Sequence, residues 1–230
     1  MASIVITGAN RGIGLEFVRQ YADAGWRVFA GCRNPAKASE LAGVVDANTD
    51  QVSVLQLDVT DEASIAAFAA AIASSPIDVL INNAGVMGPV DQDFDTVDTD
   101  GWLGAFRANA IGPLLVTRAL LPALTVGGGG TVVVITSRVG SITEADGGRY
   151  AYRTSKAAAN MVVKDMAADM AARGLTVVAM HPGWVRTDMG GAQAPFTTTD
   201  SVARLREIIA GVRPDDSGRF LNFDGTEIPW

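Results

Sequence analysis

Short runs rich in Val, Ile and Leu recur along the chain at residues 3–7, 27–31, 53–57, 79–82, 131–136, 175–181 and 219–223. Most are nearly continuous in apolar character. A strand with one wet face alternates with period two, whereas a strand covered on both faces does not. These runs therefore predict a parallel sheet with helices on both sides. Longer Ala-rich stretches at helical spacing lie between them, at 14–24, 61–74, 99–121, 150–173 and 199–211. The second opens with Asp61-Glu62, acidic residues suited to a helix N-terminus. Strand–helix alternation of this kind implies right-handed crossovers and an α/β, doubly wound, mainly parallel sheet of seven strands. There is no internal repeat and no linker, and the four glycines at 127–130 read as a flexible turn between a helix and a strand. One domain spanning residues 1–230 is the economical reading.

Charge and cysteine usage narrow the class. The net charge of −7 carries no basic stripe, which argues against nucleic-acid binding. Cys32 is the only cysteine, so no internal disulfide can form and a reducing compartment fits. A small half-buried thiol explains Cys32 more simply than a catalytic one. The start of the chain lacks the pattern of a signal peptide, and no uninterrupted apolar run approaches the ~20 residues of a membrane span. A soluble cytoplasmic protein without membrane partners is expected.

The first strand runs into Thr7-Gly8-Ala9-Asn10-Arg11-Gly12-Ile13-Gly14, and a helix follows. Glycines there permit positive φ and close approach of a pyrophosphate. The helix N-terminus offers free N–H groups and partial positive charge. A tight turn without ligand is the plainer alternative, but its place between first strand and first helix is what dinucleotide binding requires. The spacing, TGxxxGxG, resembles that of the short-chain dehydrogenase/reductase family.

The resemblance continues along essentially the whole chain. Asp58, followed by Val59, stands after the third strand, where the family places an Asp against the adenine ring. Asn82-Asn83-Ala84-Gly85 resembles the NNAG motif, whose small Ala-Gly pair leaves room for the cofactor ribose. Asn109 lies mid-helix, a poor position for Asn. It reads as a helix kink before Pro113 and, by the resemblance, as the residue holding a water that links the catalytic Lys to solvent. Ser137 ends the fifth strand, and Tyr152 and Lys156 follow at i and i+4 on one helical face. His181-Pro182-Gly183-Trp184-Val185-Arg186-Thr187 resembles the PGxVxT segment, in which Pro182, Gly183, Val185 and Thr187 would meet the nicotinamide and phosphates. Within the family the chain looks most like the carbonyl-reductase-like branch that includes C-factor and sniffer proteins. The signs include Tyr150-Ala151-Tyr152-Arg153-Thr154-Ser155-Lys156 and the ending Pro229-Trp230.

The resemblance implies catalysis by Asn109, Ser137, Tyr152 and Lys156. Cofactor contacts would come from Gly8, Asn10, Arg11, Gly12, Ile13, Gly14, Arg33, Asp58, Val59, Asn83, Ala84 and Gly85, and from Tyr152 and Lys156. A Lys⁺ and a cationic nicotinamide would bring the Tyr152 phenol nearer working pH. His181, the only histidine, is a rival base, but Tyr152 already fills that role. After the second strand stands Gly31-Cys32-Arg33, without the acid common in NAD sites. Arg33 and Arg11 could pair with a 2′-phosphate, or merely face solvent, and NADP(H) is favoured over NAD(H). The expected reaction is reduction of a small-molecule carbonyl or its reverse. The alternatives are an NADP(H)-binding signalling or scaffold protein of C-factor type and, last, an enoyl reductase. The short segment 188–199 implies an open substrate site, with Trp184, Met189 and Phe196 as pocket or packing residues. The apolar helices 99–121 and 151–173 permit a homodimer or homotetramer.

Overall fold

The computed structural model describes residues 1–126 and 128–230. Its strands are β1 (Ser3–Thr7), β2 (Arg27–Cys32), β3 (Val52–Gln56), β4 (Val79–Asn82), β5 (Thr131–Ile135), β6 (Thr176–Met180) and β7 (Phe220–Leu221). They form one sheet in the order β3-β2-β1-β4-β5-β6-β7, and every pairing is parallel. The helices are α1 (Gly12–Asp23), α2 (Ser39–Ala47), α3 (Glu62–Ala71), α4 (Thr99–Phe106), α5 (Gly112–Thr125), α6 (Tyr150–Met170) and α7 (Thr198–Gly211).

The unbroken apolar runs have a direct cause. Ile4 and Ile6 point into a core shared with α1, α2 and α7, while Val5 between them points into a second core with α3, α5 and α6. Ile81 and Leu80, Val133 and Val132, and Val178 and Val177 divide in the same way. Both faces are dry, so both sets of alternating positions must be apolar.

Several expectations shift at their edges. Asp61 sits outside α3 as its N-cap, accepting from Ala63 N at 2.9 Å. The last strand shrinks from residues 219–223 to two residues, because Asn222 N donates to Thr226 O at 2.7 Å and the chain turns back. Helix α2 carries little sequence signal: Gly43 interrupts it and only Leu41 and Val44 are buried. The predicted helix 99–121 extends to Thr125 and contains a π-helical segment, Arg107–Ile111, centred on Asn109. Within this stretch of 27 residues an 18-residue window has mean hydropathy 1.2, long and apolar enough to cross a membrane, yet 56% of that window is buried inside the fold. Of the glycine run, Gly127 lies outside the described residues. Gly129 has φ of 116°, and a Cβ there would come within 1.9 Å of Gly174 O. The link to β5 is thus a close backbone crossing, which accounts for a glycine better than flexibility alone.

Leu80 lies fully buried on central strand β4. Leu80→Ala is expected to cost about 2–5 kcal/mol of stability, measured by urea unfolding.

Candidate active site

The carboxyl ends of β1 and β4 meet at the point where strand order reverses, the place at which open α/β sheets bind ligands. Thr7 joins them. Its Oγ1 accepts from Asn83 N at 3.0 Å and Ala84 N at 2.9 Å. In return Asn83 Nδ2 donates to Thr7 O at 2.9 Å and Gly8 O at 3.2 Å. Asn82 turns the other way and donates to Thr117 Oγ1 on α5 at 3.1 Å. The glycines fit this lock closely. A Cβ on Gly8 would lie 2.8 Å from Ala84 Cα, and one on Gly14 would lie 2.2 Å from Gly8 O and 2.5 Å from Asn83 Nδ2. Thr187 comes to the same place, its Cγ2 3.3 Å from where a Gly12 Cβ would stand.

The start of α1 has no side-chain cap and no acid in its first turn, whereas α3, α4 and α7 are capped by Asp61, Asp98 and Thr197. Its leading N–H groups are thus suited to an anion. Arg11, expected at a 2′-phosphate, forms an exposed ion pair with Asp188. Arg33 is exposed beyond β2. It lies close enough to Asp58 for its charge to be felt there: burial works to raise the Asp58 pKa, but hydrogen bonds from Thr60 and the Arg33 charge hold it below its ordinary value. Val59 packs against the head of α5, its O 2.9 Å from the position of a Gly112 Cβ. Asn10 is exposed, and Ile13 is half-buried against the core.

The second half of the site is assembled by α6 lying against the end of β5. Ser137, Tyr152 and Lys156 are all buried. Lys156 Nζ donates to Ile135 O at 2.9 Å and stands 5.8 Å from the centroid of the Tyr152 ring. A Cβ on Gly140 would meet Lys156 C at 2.8 Å, so only glycine lets the loop after Ser137 come this close to α6. Burial pulls the Lys156 pKa down to about 8. Burial also pushes the Tyr152 phenol above its ordinary value, and the Ser137 hydroxyl and the Arg149 charge offset only part of this. The expected approach of the phenol to working pH is therefore not supplied by the protein's own groups. Gly85 joins the two halves, since a Cβ there would lie 2.9 Å from Asn109 Oδ1 and 3.5 Å from Lys156 Nζ.

Gly183, with φ of 83°, is pressed by Phe196 and Phe223, and Val185 pairs with Phe196 in a parallel bridge. Phe196 therefore packs on Phe223, with ring centroids 4.6 Å apart. Pro182 O accepts from Ser201 Oγ at 2.7 Å. The segment after Thr187 folds back and is stapled by Arg186, whose Nε donates to Ala194 O at 2.7 Å. Trp184 and Met189 remain exposed there. Cys32 is buried, and burial raises its pKa, as befits an inert thiol.

Sequence reasoning passed over Thr7, whose role appears only when two distant strand ends meet. Nor does the sequence show the bracing role of Ser141, a less well placed rival of Ser137, or of Thr143, which donate to Pro229 O at 2.6 Å and Trp230 O at 2.7 Å and hold the Ser137 loop against the final hairpin.

A family profile described as short chain dehydrogenase matches residues 2–197. The chain belongs to this family. C-signal of Myxococcus xanthus is 48% identical over 165 residues, 71% of this chain and 99% of that protein. A Rhodococcus 1-hydroxy-2-glutathionyl-2-methyl-3-butene dehydrogenase is 35% identical over the full length of both. The NADPH-bound carbonyl reductase from chicken fatty liver superposes with a TM-score of 0.92 at 34% identity, covering 100% of this chain and 99% of that one. The Sniffer carbonyl reductase of D. melanogaster gives 0.93 at 32% identity, with full coverage of both chains. The family places the protein among oxidoreductases, and its structural neighbours are carbonyl reductases.

His181 is the first residue beyond β6 and is half-buried. Burial lowers its pKa from 6.5 to about 4, with Arg138 and Lys156 adding to the effect and Glu144 opposing it. Between those two pH values, about 6.5 and 4, the unfolded chain binds a proton that the folded one refuses. Stability is therefore expected to fall as pH drops through that window and to level off below it. His181→Asn should flatten this slope in urea unfolding at stepped pH; an unchanged slope would show that the imidazole titrates normally.

Proposed function

We propose that the protein is an NADPH-dependent carbonyl reductase in which Tyr152 delivers the proton. The observation that carries this reading is the buried placement of Tyr152 and Lys156 beside Ser137, immediately next to the glycine cradle. The cradle's geometry fits a dinucleotide: bare backbone at Gly8, Gly12 and Gly14, and an uncapped helix start. Asn10, Gly12, Ile13 and Thr187 would flank the pyrophosphate. Asn83, Ala84 and Gly85 would flank the nicotinamide ribose, with Pro182, Gly183 and Val185 against the nicotinamide and Asp58 with Val59 at the adenine. When bound, NADPH supplies the hydride.

The protein's own part is orientation and proton supply. The Ser137 hydroxyl donates to the carbonyl oxygen and stabilises the negative charge that develops there. As negative charge develops on the carbonyl oxygen, Tyr152 Oη would give its proton to that oxygen and be left as phenolate. Lys156, with a pKa of about 8, is largely protonated at neutral pH and favours the phenolate that remains. Lys156 also reaches the ribose hydroxyls. Asn109 keeps the proton path from Lys156 to solvent hydrated. The raised Tyr152 pKa keeps the phenol protonated before reduction, and the Lys156 charge together with a bound cofactor would have to bring it down for the proton to transfer.

NADP(H) is preferred through Arg33 and Arg11 at the 2′-phosphate. Arg11 must exchange Asp188 for the phosphate, and both side chains are exposed enough to move. The exposed apolar residues Leu103, Ile111, Leu114 and Met161 on the α4–α5 and α6 faces support a homo-oligomer. The likeness to C-signal does not favour a signalling role over catalysis, since the reacting residues are intact here.

The test is NADPH and NADH oxidation with ketones, aldehydes and quinones. NADPH should be consumed, and Tyr152→Phe should lower kcat by roughly 10²–10⁴-fold while retaining NADPH binding. Arg33→Ala should narrow the preference for NADPH over NADH by about ten-fold, the equivalent of one charge-assisted hydrogen bond. NADPH binding without turnover of any carbonyl would contradict the reductase reading, and an unchanged preference would contradict the role of Arg33.

A further inference from the structure

Helix α6 begins badly by local standards. Its N-cap, Arg149, is the only non-glycine residue with positive φ among the described residues, at 47°, and its side chain caps nothing. Such a start costs backbone strain and leaves N–H groups without partners. The missing cap comes from a residue far away in sequence. Gln92 O accepts from Tyr150 N at 3.0 Å, and Gln92 Oε1 accepts from Tyr152 N at 2.9 Å. The same side chain donates through Nε2 to Met87 O at 3.1 Å and Pro89 O at 2.8 Å. Its oxygen and nitrogen are thus both used, and the residue is only 6% exposed.

The other side of the Tyr152 peptide is held as well. Ser155 Oγ donates to Tyr152 O at 2.8 Å and accepts from Asn109 Nδ2 at 2.9 Å. Asn109 in turn grips Val86 through both main-chain atoms, N at 2.8 Å and O at 2.9 Å. The segment from Val86 to Gln92, which continues from Ala84-Gly85 at the ribose side of the cradle, is therefore tied at both ends to the backbone of Tyr152.

We propose that Gln92 is a positioning residue for the reaction. It caps α6 from a distance, fixes the height of Tyr152 relative to Ser137, and couples that height to the cofactor-facing loop. The inference rests on Tyr152 being the acid. Hydrocarbon at this position would leave one amide N–H and two carbonyls without their partner, and small displacements of a reacting group are costly in rate.

The experiment compares Gln92→Met, which has similar volume, no donor and only a weak sulfur acceptor, with Gln92→Glu, which keeps the oxygen acceptor for Tyr152 N. Gln92→Met should lower kcat by at least about ten-fold while the Kd for NADPH, read by fluorescence titration, stays within about two-fold. Gln92→Glu, whose ionised carboxyl faces the Met87 and Pro89 carbonyls, should recover part of that loss only as pH is lowered and its carboxyl becomes a donor. A folded Gln92→Met with wild-type kcat overturns the inference, and so does equal impairment of both variants across the whole pH range tested. If Gln92→Met does not fold, Gln92→Asn withdraws the amide by one methylene and must show the same loss of kcat; wild-type kcat there overturns the inference. Tyr152→Phe is run alongside. An active Tyr152→Phe removes the acid assignment itself, whereas an inactive Tyr152→Phe beside a fully active Gln92→Met removes only the role of Gln92.

Discussion

Burial of the sheet on both faces is the constraint from which the rest of the molecule follows. With Ile4 and Ile6 committed to one core and Val5 to the other, no side chain within the central strands is free for chemistry. Functional groups can stand only where strands stop, and the parallel arrangement puts all the carboxyl ends on one rim. Thr7 and Asn82 are the last residues of their strands, and His181 and Ser137 stand one and two residues beyond theirs. The lock between Thr7 and Asn83 converts that rim into a fixed cradle, because four hydrogen bonds hold the glycine turn and the Asn-Asn-Ala-Gly turn at a spacing that admits no Cβ.

Helix α6 supplies what the rim lacks. It brings Tyr152 and Lys156 to Ser137 along one face, and burial moves both pKa values in the direction of the neutral form. A neutral phenol is the right starting state for donating a proton, and a lysine near 8 keeps most of its charge at neutral pH. The cost of starting this helix at a left-handed Arg149 is met by contacts from the segment after β4. The glycine cradle and Tyr152 thereby become parts of one hydrogen-bonded frame.

Much of this was legible in the sequence, for identifiable reasons. Strands dry on both faces announce themselves by continuous apolar runs, and glycines under steric compulsion sit at fixed spacing. Asn109 was conspicuous because Asn is costly in a helix interior, and the π-helical segment around it shows why the position is unusual. Other features were hidden. Helix α2 has a weak apolar face interrupted by Gly43. Gln92 and Thr7 gain their roles only through partners 60 and 76 residues away. The Arg11–Asp188 pair spans 177 residues and was not foreseeable from either neighbourhood. Phe196 looked equally like pocket or packing, and only its contact with Phe223 places it in the packing.

The most direct test of the account follows the hydrogen itself. NADPH deuterated on its nicotinamide ring would be incubated with the protein and a reducible aldehyde, and the alcohol product analysed by mass spectrometry. Reduction as described predicts deuterium on the former carbonyl carbon in wild type and none above background in Tyr152→Phe. Tight NADPH binding with no labelled product from any aldehyde or ketone tried, or labelling undiminished in Tyr152→Phe, would contradict it.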